Sequence, residues 1–333
     1  MTSPGVAPRP GSRFTSRRWR TPADTGRMQA LASARLMRDW PQPRIHPGDL
    51  AWWEVLAHGR EPGMTDRVRL WFEDVAEHEL AGFGWFAPPA ELDFLLASDA
   101  LATVTPLVEE LIAWATARRE DVVSVTPDPG DGLRVWVSLG ETAAIGAIQG
   151  HGHALEPGHG FVHFTGDLSI ADVWQPIVLP EGFEVRPIDR ARDLEGRVAC
   201  GRAAFPGSTM TAERYSQTLS APLYRRDLDL VVANDAGLVI AFALGWLDAA
   251  AGIVELEPVG VHPDWHRRGL GRAICQATLG AARGQGATKA LIGADADNDA
   301  ANALYTALGL RITANVVAFV GPRPTPRSLA TPT

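Results

Sequence analysis

The stretch VGVHPDWHRRGLGRA, residues 259–273, decides how this chain is read. Its first residues close an alternating apolar run, GIVELEPVGV, which reads as a strand ending at Val261. Downstream, Leu270, Ile274, Ala277 and Ala281 fall on one face of a helix starting near Leu270. The corner between them places unpaired backbone N–H groups at a helix N-terminus. Gly269 and Gly271 carry no Cβ, so an anion can approach the backbone, and phosphate is the usual guest of such a corner. The helix dipole alone supplies only about 0.3–1 kcal/mol. A tight phosphate site therefore needs several N–H donors and side-chain charge, for which Arg267, Arg268 and Arg272 are at hand. The corner is neither a Walker A loop, since no GK[ST] follows, nor a dinucleotide fingerprint, since Ile274 stands where GxGxxG requires glycine.

A chain of 333 residues exceeds what one core usually needs, and two domains are expected. The composition, 46% apolar and 21% charged, reads as globular. A formal charge of −8 argues against a nucleic-acid partner and for a cationic small molecule. The two cysteines, Cys200 and Cys275, lie far apart without CxxC spacing, which fits a reducing cytoplasm and no structural metal. The N-terminal MTSPGVAPRPGSRF has no apolar signal-peptide core, and no apolar run suits a membrane span. The expectation is a cytoplasmic protein, monomer or homodimer.

The chain reads as two halves with one element order. From residue 183 onward come the strand FEVRPI, the helices ARDLEGRVACGRAAF and TAERYSQTL, and the strands DLDLVVAND and GLVIAFALGWL joined by the turn NDAG. After the strand and helix of the opening stretch follow the strand TKALIGA, a helix carrying Ala301, Leu304, Tyr305 and Leu308 on one face, and closing strands in RITANVVAFVG. The first half repeats this order, with RVRLWFED and ELAGFGWF as a strand pair, a helix in TPLVEELIAWATARRE, a strand in DVVSVTP, a helix in ETAAIGAIQGHGH and a last strand GFVHFTG. Landmarks recur at offsets of about 160 residues, Leu70 to Leu230 among them. The expected layout is a tail over 1–12, a domain over 13–176, a join around 171–182, a domain over 183–322, and a tail over 323–333. Both tails are rich in proline and are expected to be disordered. Trp52, Trp53, Trp71 and Trp85 are expected to fill the first core.

Two motifs give the second half a family resemblance. One is the corner itself; the other is NDAANALYTALG, with Asn298, Ala301, Leu304, Tyr305 and Gly309. Together, in order and over roughly residues 183–321, they resemble the GCN5-related N-acetyltransferase (GNAT) family, whose loop R/Q-x-x-G-x-G/A has His266 at its leading position here. The resemblance implies two tandem GNAT-like α+β modules, each a mixed, mostly antiparallel sheet flanked by helices. It further implies that His266, Arg267, Arg268, Gly269, Leu270, Gly271, Arg272 and Ala273 wrap the pyrophosphate of acetyl-CoA. Val259, Gly260 and Val261 would offer strand-edge amides to the acetyl group and pantetheine arm, and Asn298 would touch that arm. The tandem arrangement is that of enzymes with an active C-terminal copy.

Acetyl transfer to a primary amine needs a neutral amine, a stabilised carbonyl oxygen and a protonated leaving thiolate. An alkylammonium of pKa about 10.4 is far from neutral at pH 7, so a base is useful. Glu255 and Glu257 lie two apart on one strand and project to the same face; either is the candidate base. Tyr305 corresponds to the family's acid toward the CoA sulfur, and a backbone N–H near Val259 to the oxyanion donor, since Pro258 has none. The first half looks like a degenerate copy. Pro106 and Val108 stand where the glycines would be, Ile148 stands for Tyr305, and the acidic Glu109 and Glu110 follow. His151, His153, His159 and His163 match no zinc spacing. The expected activity is acetyl-CoA-dependent N-acetylation of a small amine, without a metal; a catalytically silent acyl-CoA-binding sensor or scaffold remains the alternative.

Overall fold

A computed structural model of the protein describes residues 13–123, 132–169 and 179–323. Most of both tails, and residues 170–178 of the expected join, lie outside the described residues. The elements run β1 (Thr15–Arg18), α1 (Pro22–Asp39), α2 (Pro47–Ala57), α3 (Met64–Arg67), β2 (Val68–Phe72), β3 (Leu80–Ala87), β4 (Glu91–Leu96), α4 (Leu101–Val123), β5 (Arg134–Ser138), α5 (Thr142–Gly150) and β6 (Ala154–Asp167). They continue with β7 (Phe183–Pro187), α6 (Arg190–Ala204), α7 (Ala212–Ser216), β8 (Asp229–Asn234), β9 (Val239–Asp248), β10 (Ile253–Val261), α8 (Leu270–Gly284), β11 (Lys289–Asp295), α9 (Asp299–Ala307) and β12 (Arg311–Val320). Among the described residues no helix is long and apolar enough to cross a membrane.

The chain forms two compact units, and both are discontinuous in sequence. The first comprises residues 1–20, 65–159 and 316–333; the second comprises 21–64 and 160–315. The contiguous spans expected from the repeat therefore differ from the compact units at each end. Residues 21–64, with α1 and α2, belong to the unit that carries the glycine corner.

The two units share a strand plan. In the first, β1 to β4 form an antiparallel meander and β4 pairs in parallel with β5, Glu91 facing Arg134. The sixth strand is the end of β12, antiparallel to β5 with Val316 opposite Ser138. In the second unit, β7 to β10 form the meander and β10 pairs in parallel with β11 over Ile253–Glu255. Its sixth strand is β6, with Phe161 opposite Asp295 and Asp167 opposite Lys289. Each half of the sequence thus gives its last strand to the other unit.

Packing in the second unit follows from β9, VIAFALGWLD, which is buried along its whole length. A strand covered on both faces reads as a continuous apolar run. Ala241 and Ala243 turn to the core that includes Leu270, Ile274 and Leu279 of α8. Phe242, Leu244 and Trp246 turn to the opposite core, with Tyr215 of α7 and Ala51, Trp52 and Val55 of α2. Trp52 therefore belongs to the second unit, with Trp53 packed beside it; the expectation of a first-core role fails because α2 docks on β9. Trp71 and Trp85 are buried in the first unit as expected. The start of DVVSVTP is helical through Val123, as α4 carries on past the expected end, and residues 124–127 lie outside the described residues.

Helix α2 is held close because Gly48 lies against Trp246. A Cβ at Gly48 would fall 2.4 Å from Trp246 Cβ and 2.9 Å from the His46 ring. Gly48→Ala must push α2 off β9. Overpacking of this kind costs about 1–3 kcal/mol, so a fall in melting temperature of several degrees is expected by calorimetry. An unchanged melting temperature would show that α2 is not clamped here.

Candidate active site

The site is built on an irregular strand. The β9–β10 register runs Glu255 opposite Trp246 and Leu256 opposite Gly245, then resumes at Val259 opposite Ala243. Glu257 and Pro258 form the intervening bulge, a device that bends a strand and re-aims side chains. The Trp246 indole N–H donates to the Glu257 carbonyl at 2.7 Å and fixes the bulge. On its other edge β10 stays with β11 only as far as Glu255, opposite Leu291. Beyond that pair the strands part, which leaves the edge at Val259–Val261 without a β11 partner.

Val254 and Leu256 enter the α8 core, so Glu255 and Glu257 project to the other face, under α2. There Asp49 joins them. Ligand oxygens of Asp49, Glu255 and Glu257 all lie within 4.8 Å of one another. Asp49 is the third helical residue of α2, and its carboxylate accepts the His46 N–H at 2.7 Å while His46 Nδ1 accepts the Gly48 N–H at 2.9 Å. This is a capping box with histidine in the capping role. Burial pushes His46 down to about 4, so its ring is neutral, with Nε2 facing the Ile253 carbonyl at 3.4 Å.

Glu255 Oε2 lies 3.3 Å from His46 Nδ1. That nitrogen already accepts a hydrogen bond and has no proton to give. Glu255 Oε2 and Glu257 Oε2 are both buried without a hydrogen-bond partner. Burial first, then the neighbouring Asp49 carboxylate, push both glutamates well above the usual carboxylate range. The sequence places the two glutamates on one face. Asp49 escaped it, because nothing in the pattern PGDLAWWEVLA tells that this helix covers a strand some 200 residues away.

The glycine corner has the geometry of an anion cradle. A short 3-10 turn, Pro263–Trp265, leads to His266, whose Nε2 lies 3.1 Å from the Val261 carbonyl. Arg267 has φ +60° and Gly269 φ +78°, both left-handed. Alternation of this kind turns successive N–H groups to one side, a nest for anions. Gly269 occupies the N-cap of α8 and no side chain caps that helix, so its first amides are left for a guest. Arg268 stacks on Trp265, 4.6 Å from the ring centroid, and Trp265 meets Phe183 edge-on. Arg267 and Arg272 are exposed. Leu270 and Ala273 point into the core and hold the helix down. At Gly271 a Cβ would meet Leu304 Cδ2 at 3.3 Å and Val261 Cγ2 at 3.4 Å. That glycine lets α8 sit close to its neighbours, whereas at Gly269 the left-handed φ demands glycine. Gly260 is small for a third reason: its cross-strand partner Phe242 lies over it, 2.3 Å from where a Cβ would be.

Tyr305, on α9, is buried and meets Phe164 edge-on at 5.5 Å. Burial raises its phenol well above the ordinary value. Asn298 is the N-cap of α9, its Oδ1 accepting the Ala301 N–H at 3.1 Å; the motif asparagine thus has a structural task for its oxygen. The histidines of residues 151–163 do not form a metal group among the described residues. His163 is half-buried with Nδ1 3.0 Å from the Pro43 carbonyl, and desolvation lowers it to about 4. In the first unit four residues, 97–100, separate β4 from α4, against eight, 262–269, between β10 and α8. Pro106 and Val108 there lie inside a helix, and Glu110 accepts the Trp71 indole N–H at 2.9 Å. The shorter corner has no room for the cradle.

The site thus joins a meander that parts from its parallel neighbour at a bulge to an uncapped glycine corner. Residues 202–310 match the family model described as Acetyltransferase (GNAT) family. The chain is similar to the mycothiol acetyltransferase of Streptomyces coelicolor, 30% identical over 54% of this chain and 58% of the relative, so the match spans less than two thirds of that protein. A mycothiol acetyltransferase of Thermobispora bispora is 28% identical over 87% of this chain and 93% of its own length. Among solved structures, the GCN5-related N-acetyltransferase of Sphaerobacter thermophilus shares the fold with TM-score 0.64 at 20% identity, covering 94% of this chain and 96% of its own. A tandem GNAT protein from the clavulanic acid biosynthesis pathway has TM-score 0.61 at 13% identity, covering 93% and 99%. The architecture is that of tandem GNAT modules.

Folding raises the Glu255 carboxyl's hold on its proton. Such a group supports the folded state most below the usual glutamate range and withdraws that support as pH rises through the raised value. Glu255→Gln has no such loss. Its melting temperature relative to the parent should climb between about pH 5 and about pH 8; a pH-independent difference would show that Glu255 is not held protonated by folding.

Proposed function

We propose that the protein is an acetyl-CoA-dependent N-acetyltransferase that moves an acetyl group to a primary amine of a small molecule by direct attack on the thioester. The observation that carries this reading is the unpartnered, buried carboxylate oxygen of Glu255, set on the strand that runs on to the glycine corner. The corner amides and Arg267, Arg268 and Arg272 take the pyrophosphate. The unpaired edge at Val259, Gly260 and Val261 takes the pantetheine arm and acetyl group, with a Val259 N–H at the oxyanion. Asn298 contributes through its side-chain nitrogen, since its oxygen caps α9.

The amine arrives as an ammonium, and a carboxylate of Glu255 or Glu257 takes one proton. Their raised proton affinity brings them closer to the amine than an ordinary glutamate, at about 4.3, would be. The nitrogen then attacks the carbonyl carbon, the tetrahedral intermediate collapses with cleavage of the C–S bond, and the second proton lost by the nitrogen ends on the CoA sulfur. Tyr305 keeps its proton throughout the accessible pH range because burial raises its phenol. A phenol above about 10 is less acidic than a thiol near 8.5, so its contribution is a hydrogen bond to the sulfur as negative charge develops there. The relatives named mycothiol acetyltransferase make that enzyme's acceptor the first amine to try.

Two variants test the reading with CoA thiol release and thermal shift. Gly269→Val forces a β-branched residue into φ +78°, and the stabilisation by acetyl-CoA, about 2.7 kcal/mol at a hundredfold excess over Kd, should vanish. Gly271→Ala, in ordinary helical backbone, should keep most of it. A full shift in Gly269→Val would reject the corner as the CoA site.

Tyr305→Phe should leave acetyl-CoA affinity unchanged while kcat falls by roughly ten- to a hundredfold, as for one hydrogen bond to a developing charge. Unchanged kcat would remove Tyr305 from the reaction. No thiol release with any amine, alongside intact acetyl-CoA binding, would favour the silent sensor.

A further inference from the structure

We propose that the Phe242 ring, clamped by Arg197, is the wall that limits the transferred acyl group to acetyl. The proposal rests on the acetyl-CoA reading for what the wall faces; the clamp itself stands on the packing of β9, β10 and α6.

The ring lies across its neighbouring strand. Phe242 is opposite Gly260 in the β9–β10 register. The atoms nearest the site of a Gly260 Cβ are the ring's Cζ, then Cε1 at 2.8 Å and Cε2 at 3.0 Å. The tip of the ring thus covers Gly260, the middle residue of the edge that has no β11 partner. The same tip meets a second glycine. A Cβ on Gly201 of α6 would lie 3.8 Å from Phe242 Cζ and 3.9 Å from Cε1. The ring therefore fills the gap between α6 and β10, and the exposed Phe205 at the end of α6 stands beside it, centroids 6.4 Å apart.

Arg197 holds the ring there. It lies one turn before Gly201 on α6, and its guanidinium carbon is 3.3 Å from the Phe242 centroid and 4.6 Å from that of Tyr215. The residue is 3% exposed, and its Nε and Nη2 are buried without a hydrogen-bond partner. A desolvated cation on an aromatic face is strongly held, and here the ring faces are what the guanidinium has. Its charge is answered at longer range by Asp229, whose Oδ2 accepts the Tyr215 hydroxyl at 2.9 Å and the Tyr224 hydroxyl at 3.1 Å. Burial raises the proton affinity of Asp229, and the Arg197 charge is the largest effect opposing it. None of these four side chains has a part in the transfer chemistry; together they fix one ring.

The consequence falls on the acyl chain. With the thioester carbonyl at the Val259 N–H, the carbons beyond it lie next to Gly260. Val259 and Val261 pack against the α8 core and close one face of the strand. On the other face the carboxyls of Asp49, Glu255 and Glu257 gather on one side of Val259, a poor environment for a methylene, and the Phe242 tip stands on the other. A methyl fits against that tip. An added methylene must displace a ring held by two glycines' worth of close packing and by the guanidinium, and forcing extra carbons into a packed space is unfavourable.

The test compares acetyl-CoA, propionyl-CoA and butyryl-CoA, with free CoA as the reference, on the full chain. By thermal shift the parent should be stabilised less as the acyl chain lengthens. With an amine that supports thiol release, its kcat/KM for propionyl-CoA should fall roughly ten- to two-hundredfold below that for acetyl-CoA, as for one methylene in a closed pocket. Phe242→Leu removes the ring tip and should abolish most of that preference, while stabilisation by free CoA stays as in the parent. Phe242→Met, of similar volume but flexible, serves should Phe242→Leu fail to fold. Arg197→Lys keeps the charge that Asp229 faces and loses the flat stack, so it should relax the same preference with Phe242 in place. A general loss of stability would lower all three thioesters alike and leave their ratio untouched. Equal response of the parent to all three, or a preference undiminished in both Phe242 variants, overturns the wall; a preference undiminished in Arg197→Lys overturns the clamp. Free CoA and the thioesters all without effect on the parent rejects the acetyl-CoA reading and the wall with it. A graded thermal shift without turnover keeps the wall and rejects the enzyme.

Discussion

The contact between Gly48 and Trp246 governs the second unit. Trp246 is wholly buried, faces Glu255 across the β9–β10 pair, and bonds the carbonyl of Glu257 through its indole. The absence of a side chain at Gly48 lets the first turn of α2 settle on that ring. From this one approach follow the position of His46 beneath the strand, the commitment of its Nδ1 to the helix cap, and the presence of a third carboxylate over the two glutamates. The bulge re-aims Glu257, while Glu255 keeps its place opposite Trp246. With the helix seated, both glutamates lie close to Asp49 of its first turn.

Burial is what gives the acidic group its character. Like charges near one another at the surface are screened, but under a helix they are not. Burial and the Asp49 carboxylate raise the proton affinity of Glu255 and Glu257, and burial lowers that of His46. The glycine corner shows the opposite arrangement. Its arginines stand in solvent, its helix end is uncapped, and its left-handed residues aim amides outward. One end of the strand and loop thus offers amides and arginines to solvent, and the other gathers carboxyls under a helix.

How much of this the sequence reveals depends on distance along the chain. The corner and the α9 motif are local, each a strand end or helix start with its cap and its glycine, and both lie where the spacing puts them. The strand pairs around NDAG and in RVRLWFED are local as well. Asp49 and Trp52 are another matter. Periodicity says that α2 has an apolar face but not which sheet receives it, and proximity in sequence wrongly favours the first half. RVWVS of β5 is too short to stand out between a long helix and a turn. The exchange of β6 and β12 is invisible to any repeat argument, because an exchanged strand has the same sequence as one that stays at home.

That exchange has a consequence in time. A chain emerging from the ribosome presents β1 to β5 of the first unit well before residues 316–320 exist. Until they arrive, β5 has an open edge, and exposed edges invite wrong partners. The second unit faces no comparable wait, since its borrowed strand, β6, has already been made when β11 emerges beside it. The order of completion therefore reverses the order of synthesis: the unit bearing the glycine corner can close its sheet first, and the half that begins the chain is the last to be finished.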